Sequence, residues 1–192
     1  MRSSWTVSKW TERIGLCFLV VTIMLCAGSG AIAGPALQDE TAEVEEVAVV
    51  EDGPVRIAIT LEKGGVIVME MLSDEAPITV ERVLTLVREG FYDGLKFHRV
   101  EGFLVQTGKK EHEYSQIEGE MFGQDLRHEA GMVGMARFPR SYDSASTQFY
   151  IMKKYKVNFN GEYTIFAKVV EGMEVVDSIK KNDKIDSIVI VE

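Results

Sequence analysis

The strongest constraint on folding is the rhythm of apolar residues between Val55 and Val191. They come in eight short runs, at 55–61, 66–72, 95–100, 103–107, 132–136, 147–152, 164–170 and 185–191. In the first, Val55, Ile57, Ile59 and Leu61 alternate with Arg56, Ala58, Thr60 and Glu62, the period of a half-buried strand. Glu62-Lys63-Gly64-Gly65 supplies a turn into the second run, so the two form a hairpin. Two stretches have helical spacing instead. Pro77 suits a first helical position; Val80, Val83, Leu84 and Val87 follow at i, i+3, i+4 and i+7, and Gly90 can close the helix. A second helix fits 173–181, with Val175, Val176 and Ile179 facing inward. Eight strands and two helices predict a mainly β domain, a closed eight-stranded antiparallel β-barrel capped by two α-helices.

The rest of the 192-residue chain has a different character. Residues 1–33 read as a signal peptide: Arg2, Lys9 and Arg13 precede the uncharged apolar run Ile14–Gly28, and Ala31-Ile32-Ala33 suits signal-peptidase cleavage. The run is about 15 residues, short of the roughly 20 that span a membrane, although an uncleaved N-terminal anchor is the alternative. Cys26 raises lipoprotein processing, but the preceding Ile23-Met24-Leu25 lacks the small residues of such a site. Residues 34–53 hold seven acids and no base and read as a flexible acidic linker rather than a partner-binding arm. This division explains the formal charge of −9, because residues 54–192 carry 18 bases and 22 acids, a net of only −4. Both Cys and both Trp fall in the leader, so disulfide and thiol chemistry are excluded from the domain. The acidity argues against a nucleic-acid partner. A membrane would be met only through the N-terminal segment; the signal-like leader leads us to expect the domain outside the cytoplasm, in the periplasm, with a secreted or N-terminally anchored protein as the alternatives. A monomer is expected of a self-closed barrel without a free strand edge.

Common catalytic motifs are missing. There is no GxSxG, GxxxxGK[ST] or HExxH, and no GxGxxG between a strand and a helix. His112-Glu113 and His128-Glu129 lack a second His at ligand spacing, so neither a metal nor another cofactor is expected. What remains is a set of polar residues inside strand-like apolar runs: Arg99 in FHRV, Gln106 in FLVQ and Gln148 in TQFY. These are either surface positions on ordinary strands or directing groups along an apolar groove.

Four segments then acquire a common meaning. FYDGLKFHRVEGFLVQTG at 91–108, GMVGMAR at 131–137, SASTQFYI at 144–151 and NFNGEYTIFAKVVEGMEVVDSI at 158–179 resemble, in order, successive landmarks of cyclophilin-type peptidyl-prolyl cis-trans isomerases, and bacterial members in particular. The likeness covers essentially all of 54–192. It implies an eight-stranded barrel with two capping helices and an outer groove for an X-Pro segment. It also implies residue roles. Arg99 matches the catalytic Arg, and Gln106 a polar groove residue that can orient it. Phe103 and Tyr150 match the apolar wall of the proline pocket, with Leu104 where the family often has Met. Gln148 matches a second polar groove residue. Met135 and Ala136 match the stretch whose backbone pairs with substrate. Phe159 matches a rim residue, Tyr163 stands where several members have His, and Arg137 where many eukaryotic members have Asn.

The residue types suit the chemistry so implied. An X-Pro bond rotates over a barrier of about 18–20 kcal/mol because its C–N bond has partial double-bond character. Twisting it localises a lone pair on the proline nitrogen. A guanidinium beside that nitrogen stabilises the twisted amide more than the planar one. Arg99 keeps its charge and offers several donors, and the apolar pocket would hold the proline ring while the preceding carbonyl swings. The expected function is isomerisation of X-Pro bonds in exported proteins. The alternative is a catalytically weak proline-peptide binding module or chaperone on the same fold.

Overall fold

A computed structural model describes residues 53–191. The leader 1–33 and all of the acidic linker except Gly53 lie outside the described residues. The first hairpin forms as the alternation predicts. β1 (Arg56–Leu61) and β2 (Val66–Met71) pair antiparallel, with Ile57, Ile59, Ile67 and Met69 fully buried. Each such side chain contributes on the order of 2 kcal/mol of burial. The turn between them needs two left-handed residues, supplied by Gly64 and Gly65.

The first helix, α1 (Pro77–Arg88), starts on its proline and buries Val80, Val83, Leu84 and Val87, together with Thr79 and Leu86. Its N-cap, Ala76, has no side chain to offer the free amides. Glu120, more than forty residues away, does this instead. Its carboxylate accepts from the Ile78 amide at 2.9 Å, the Thr79 amide at 2.8 Å and the Thr79 hydroxyl at 2.6 Å. The negative charge sits at the positive end of the helix.

Six more strands follow: β3 (Arg99–Val100), β4 (Leu104–Thr107), β5 (Met132–Met135), β6 (Phe149–Met152), β7 (Ile165–Glu171) and β8 (Ile185–Val191). Between the last two lies α2 (Met173–Ser178), shorter than the expected 173–181 because Ile179 turns extended. Val176 and Ile179 are buried there, while Val175 is only half-buried. All ladders are antiparallel, and the strand order is β3-β4-β6-β5-β7-β2-β1-β8.

The curled sheet does not close by a full ladder. β3 and β8 are its edges, joined through a bridge between Lys96 and Lys184 just outside them. Around that bridge the Phe97 amide donates to the Asp183 carbonyl, the Asn182 amide to Phe97 and the Ile185 amide to Leu95. The run at 95–100 is therefore split: its first half closes the curl, and only its last two residues join the ladder.

Strand alternation separates two apolar clusters. Val105, Val133, Met135, Phe149 and Ile151 point inward to the main core with β1, β2 and the helices. Leu104, Tyr150 and Met152, one step along the same strands, form a small cluster on the other face with Phe103, Met132, Ala136, Phe159 and Tyr163. The helices cover other strands, α1 lying against β7 and β8 and α2 against β2.

Candidate active site

The site is assembled by strand register. Arg99 is opposite Gln106 across β3 and β4, Gln106 is opposite Tyr150 across β4 and β6, and Tyr150 is opposite Gly134 across β6 and β5. Four residues from four strands thus form one row on the outer face. Leu104 flanks the row, while Ala136, Arg137, Phe159 and Tyr163 reach it from the loops, and together they line a pocket of about 100 Å³.

The pocket has a polar end and an aromatic end. At the polar end the Arg99 guanidinium is half exposed. Its Nε donates to Glu101 Oε1 at 2.7 Å, and its Nη1 to Gln106 Oε1 at 3.3 Å. Gln106 in turn donates from Nε2 to Gln148 Oε1 at 3.1 Å. An Arg–Gln–Gln chain therefore crosses the strands, and Nη2 of Arg99 has no partner among the described residues. At the aromatic end Phe159 meets Tyr150, Tyr163 and Phe103 with ring centroids 5.7, 4.9 and 6.0 Å apart. Lys156 holds its ammonium 4.5 Å from the centre of the Phe103 ring.

Tyr150 is buried, and its hydroxyl must find a partner. It meets His128 Nε2 at 2.9 Å, and the other ring nitrogen faces Asn160 Oδ1 at 3.3 Å. Burial pushes the His128 pKa down to about 4, opposed by the Asn160 contact. Burial also raises the Tyr150 hydroxyl well above its ordinary range, so both groups are neutral near pH 7. The tyrosine fits only because its β5 neighbour lacks a side chain. A Cβ on Gly134 would lie 2.4 Å from the Tyr150 oxygen and 2.5 Å from Cζ.

A second cation, Arg137, is fixed beside the pocket. Its side chain is 5% exposed, with the guanidinium 4.3 Å from the Tyr142 ring centre and 4.8 Å from that of Tyr163. It donates to the Glu162 carbonyl at 2.7 Å, the Glu162 carboxylate at 2.9 Å and the Phe138 carbonyl at 3.0 Å. Most of its donors are spent on the protein, in contrast to those of Arg99.

Seven residues singled out from the sequence line the pocket: Arg99, Leu104, Gln106, Ala136, Tyr150, Phe159 and Tyr163. Phe103 packs at its edge, and Gln148 stands behind Gln106. The Met135 side chain lies on the opposite face, in the main core, and its amide donates to the Thr164 carbonyl. Ala136 remains on the groove side, its amide donating to the Gln148 carbonyl. His128, which the sequence brings up only to set a metal site aside, also shapes the site, as do Gly134, Glu101 and Lys156. Of these only Glu101 had a local signal, since it lies two residues from Arg99 along an extended segment. A second depression, lined by Glu62, Lys63, Asn182, Asp183 and Lys184, is occupied by mutual ion pairs, with Lys63 2.6 Å from Asp183 and Lys184 3.1 Å from Glu62.

The chain is also similar to known proteins. The family model described as cyclophilin type peptidyl-prolyl cis-trans isomerase/CLD matches residues 56–191. A peptidyl-prolyl cis-trans isomerase of Helicobacter pylori strain J99 is 36% identical over 136 residues, covering 65% of this chain and 81% of the relative. Peptidyl-prolyl cis-trans isomerase B of Escherichia coli K12 is 39% identical over 131 residues, covering 60% of this chain and 79% of the relative. Among solved structures, a Cryptosporidium parvum cyclophilin type peptidyl-prolyl cis-trans isomerase superposes with a TM-score of 0.64 at 22% identity, over 73% of this chain and 99% of that one. The fold, the match over nearly all the described residues and the bacterial relatives together make this chain a member of the cyclophilin-type peptidyl-prolyl cis-trans isomerases.

Proposed function

We propose that the enzyme isomerises X-Pro bonds by placing the proline ring against Leu104, Tyr150 and Phe159 while Arg99 stabilises the twisted amide. The observation that carries this is the state of the Arg99 guanidinium: anchored on Nε and Nη1, with Nη2 unspent, at the polar end of a pocket whose other end is aromatic. As the amide twists, the proline nitrogen becomes a better acceptor, so a donor already in place binds the twisted form more strongly than the planar one. Gln106 limits the swing of the guanidinium, and Gln148 fixes Gln106 in turn. Ala136 and the rim residues Phe103 and Tyr163 would hold the flanking peptide. No covalent bond forms or breaks, so no nucleophile is needed.

The substrates of this reading are proline-containing polypeptides outside the cytoplasm, in keeping with the leader at 1–33 and the acidic linker at 34–53. NMR exchange spectroscopy on an Ala-Pro peptide tests the chemistry. Cross-peaks between cis and trans signals that grow with enzyme concentration are expected. Peptide binding with the uncatalysed exchange rate would favour the binding module instead. N-terminal sequencing of exported protein tests the location, with Gly34 as the expected first residue.

A further inference from the structure

The ion pair at Arg99 assigns a role to Glu101, and this role rests on the proposal that Arg99 acts on the substrate. Arg99 and Glu101 are two residues apart on the extended edge strand and the turn that follows it, so their side chains leave the same face. The turn itself is closed by the Glu101 amide, which donates to the Leu104 carbonyl at 2.8 Å. The backbone therefore holds the carboxylate next to Arg99. Glu101 Oε1 accepts from Nε at 2.7 Å while Gln106 Oε1 accepts from Nη1 at 3.3 Å. A guanidinium is planar, and anchoring two of its three nitrogens on different partners fixes the orientation of that plane. We infer that Glu101 is a positioning residue: with Gln106 it fixes the plane of Arg99 so that the remaining N–H groups face the pocket.

The pair is unsuited to a mainly structural role. Both side chains are about half exposed, at 45% and 40%, and exposed ion pairs add little to folding stability. Their effect should fall on reactivity instead, because a displaced donor loses much of its advantage in the transition state.

The test compares Glu101→Ala, Glu101→Gln, Arg99→Ala and the double Ala variant of the full chain, by Ala-Pro peptide kinetics and urea unfolding. Glu101→Ala should lower kcat/KM about ten- to hundredfold, mainly through kcat, with the urea midpoint unchanged. Glu101→Gln keeps an acceptor for Nε and should recover to within about threefold of the parent. In the Arg99→Ala background, removing the Glu101 carboxylate should cause no further loss. A Glu101→Ala enzyme as fast as the parent or faster would overturn the role, the second result marking the carboxylate as a competitor for the guanidinium. An equal loss with and without Arg99 would overturn it too. If Arg99→Ala itself keeps the parent rate, the catalytic assignment fails and this role falls with it. If only Arg99→Ala loses activity, the catalytic assignment stands and this role alone is rejected.

Discussion

Tyr150 and His128 show how one hydroxyl reorganises its surroundings. The tyrosine contributes its ring to the pocket, and the hydroxyl behind it is satisfied by a buried histidine. Tyr150→Phe should therefore lower stability by about 1–3 kcal/mol in urea unfolding, because His128 Nε2 is left unpaired in the interior. The histidine also makes stability depend on pH. Above about pH 6.5 it is neutral in both the folded and the unfolded chain. As pH falls, the unfolded chain takes up the proton, while the folded chain resists until about pH 4. Stability should thus drop through that window by about 3 kcal/mol. His128→Gln should flatten the drop, and an unchanged pH profile in that variant would count against the assignment. Glu70, held low chiefly by its hydrogen bond to Lys168, and Asp183, held low chiefly by Lys63, lose their contributions as pH falls through and below the ordinary carboxylate range. The need of the Tyr150 hydroxyl for a partner could be stated from the residue type. That the partner is His128 could not, because the two are joined by packing across the outer cluster rather than by any spacing.

At the scale of elements, local patterns were the legible part. The β1–β2 hairpin and the buried stripe of α1 follow from periods of 2 and 3.6, which are properties of neighbouring residues. The start of α1 is a different matter. Pro77 marks the position, but the cap comes from Glu120, which no local motif announces. Glu120→Ala should cost about 1–3 kcal/mol and speed hydrogen exchange at the Ile78 and Thr79 amides before it affects the sheet. The run at 95–100 illustrates the same limit. Its composition reads as one strand, yet Phe97 is fully buried next to the closing bridge, and only Arg99 and Val100 remain in the ladder. The short length of β3 matters to the proposal, since it leaves Arg99 at a sheet edge and half exposed, as the proposed contact with substrate requires.

For the whole molecule, the two-sided use of β4, β5 and β6 links fold to function. One face fills the core and the other builds the pocket, so a one-residue change of register would send Leu104, Gln106 and Tyr150 inward. Arg99 and Gln106 share the β3–β4 hairpin, while Tyr150 and Gly134 come from later segments, and the β3-β4-β6-β5 order brings all four into one row. The sequence alone named three of these four by resemblance and left out Gly134, whose importance lies in the space it leaves. Net charge is unevenly divided too, with most of the net negative charge in the 34–53 segment and the pocket bordered by the guanidinium groups of Arg99 and Arg137. The central claim is that Arg99 supplies the transition-state donor, and the most direct measurement is kcat/KM for an Ala-Pro peptide with the parent and Arg99→Ala proteins. A loss of about 2–4 kcal/mol of transition-state stabilisation, roughly thirtyfold to a thousandfold in rate, with the urea midpoint retained, is the predicted result. An Arg99→Ala protein that isomerises the peptide at the parent rate would contradict the account.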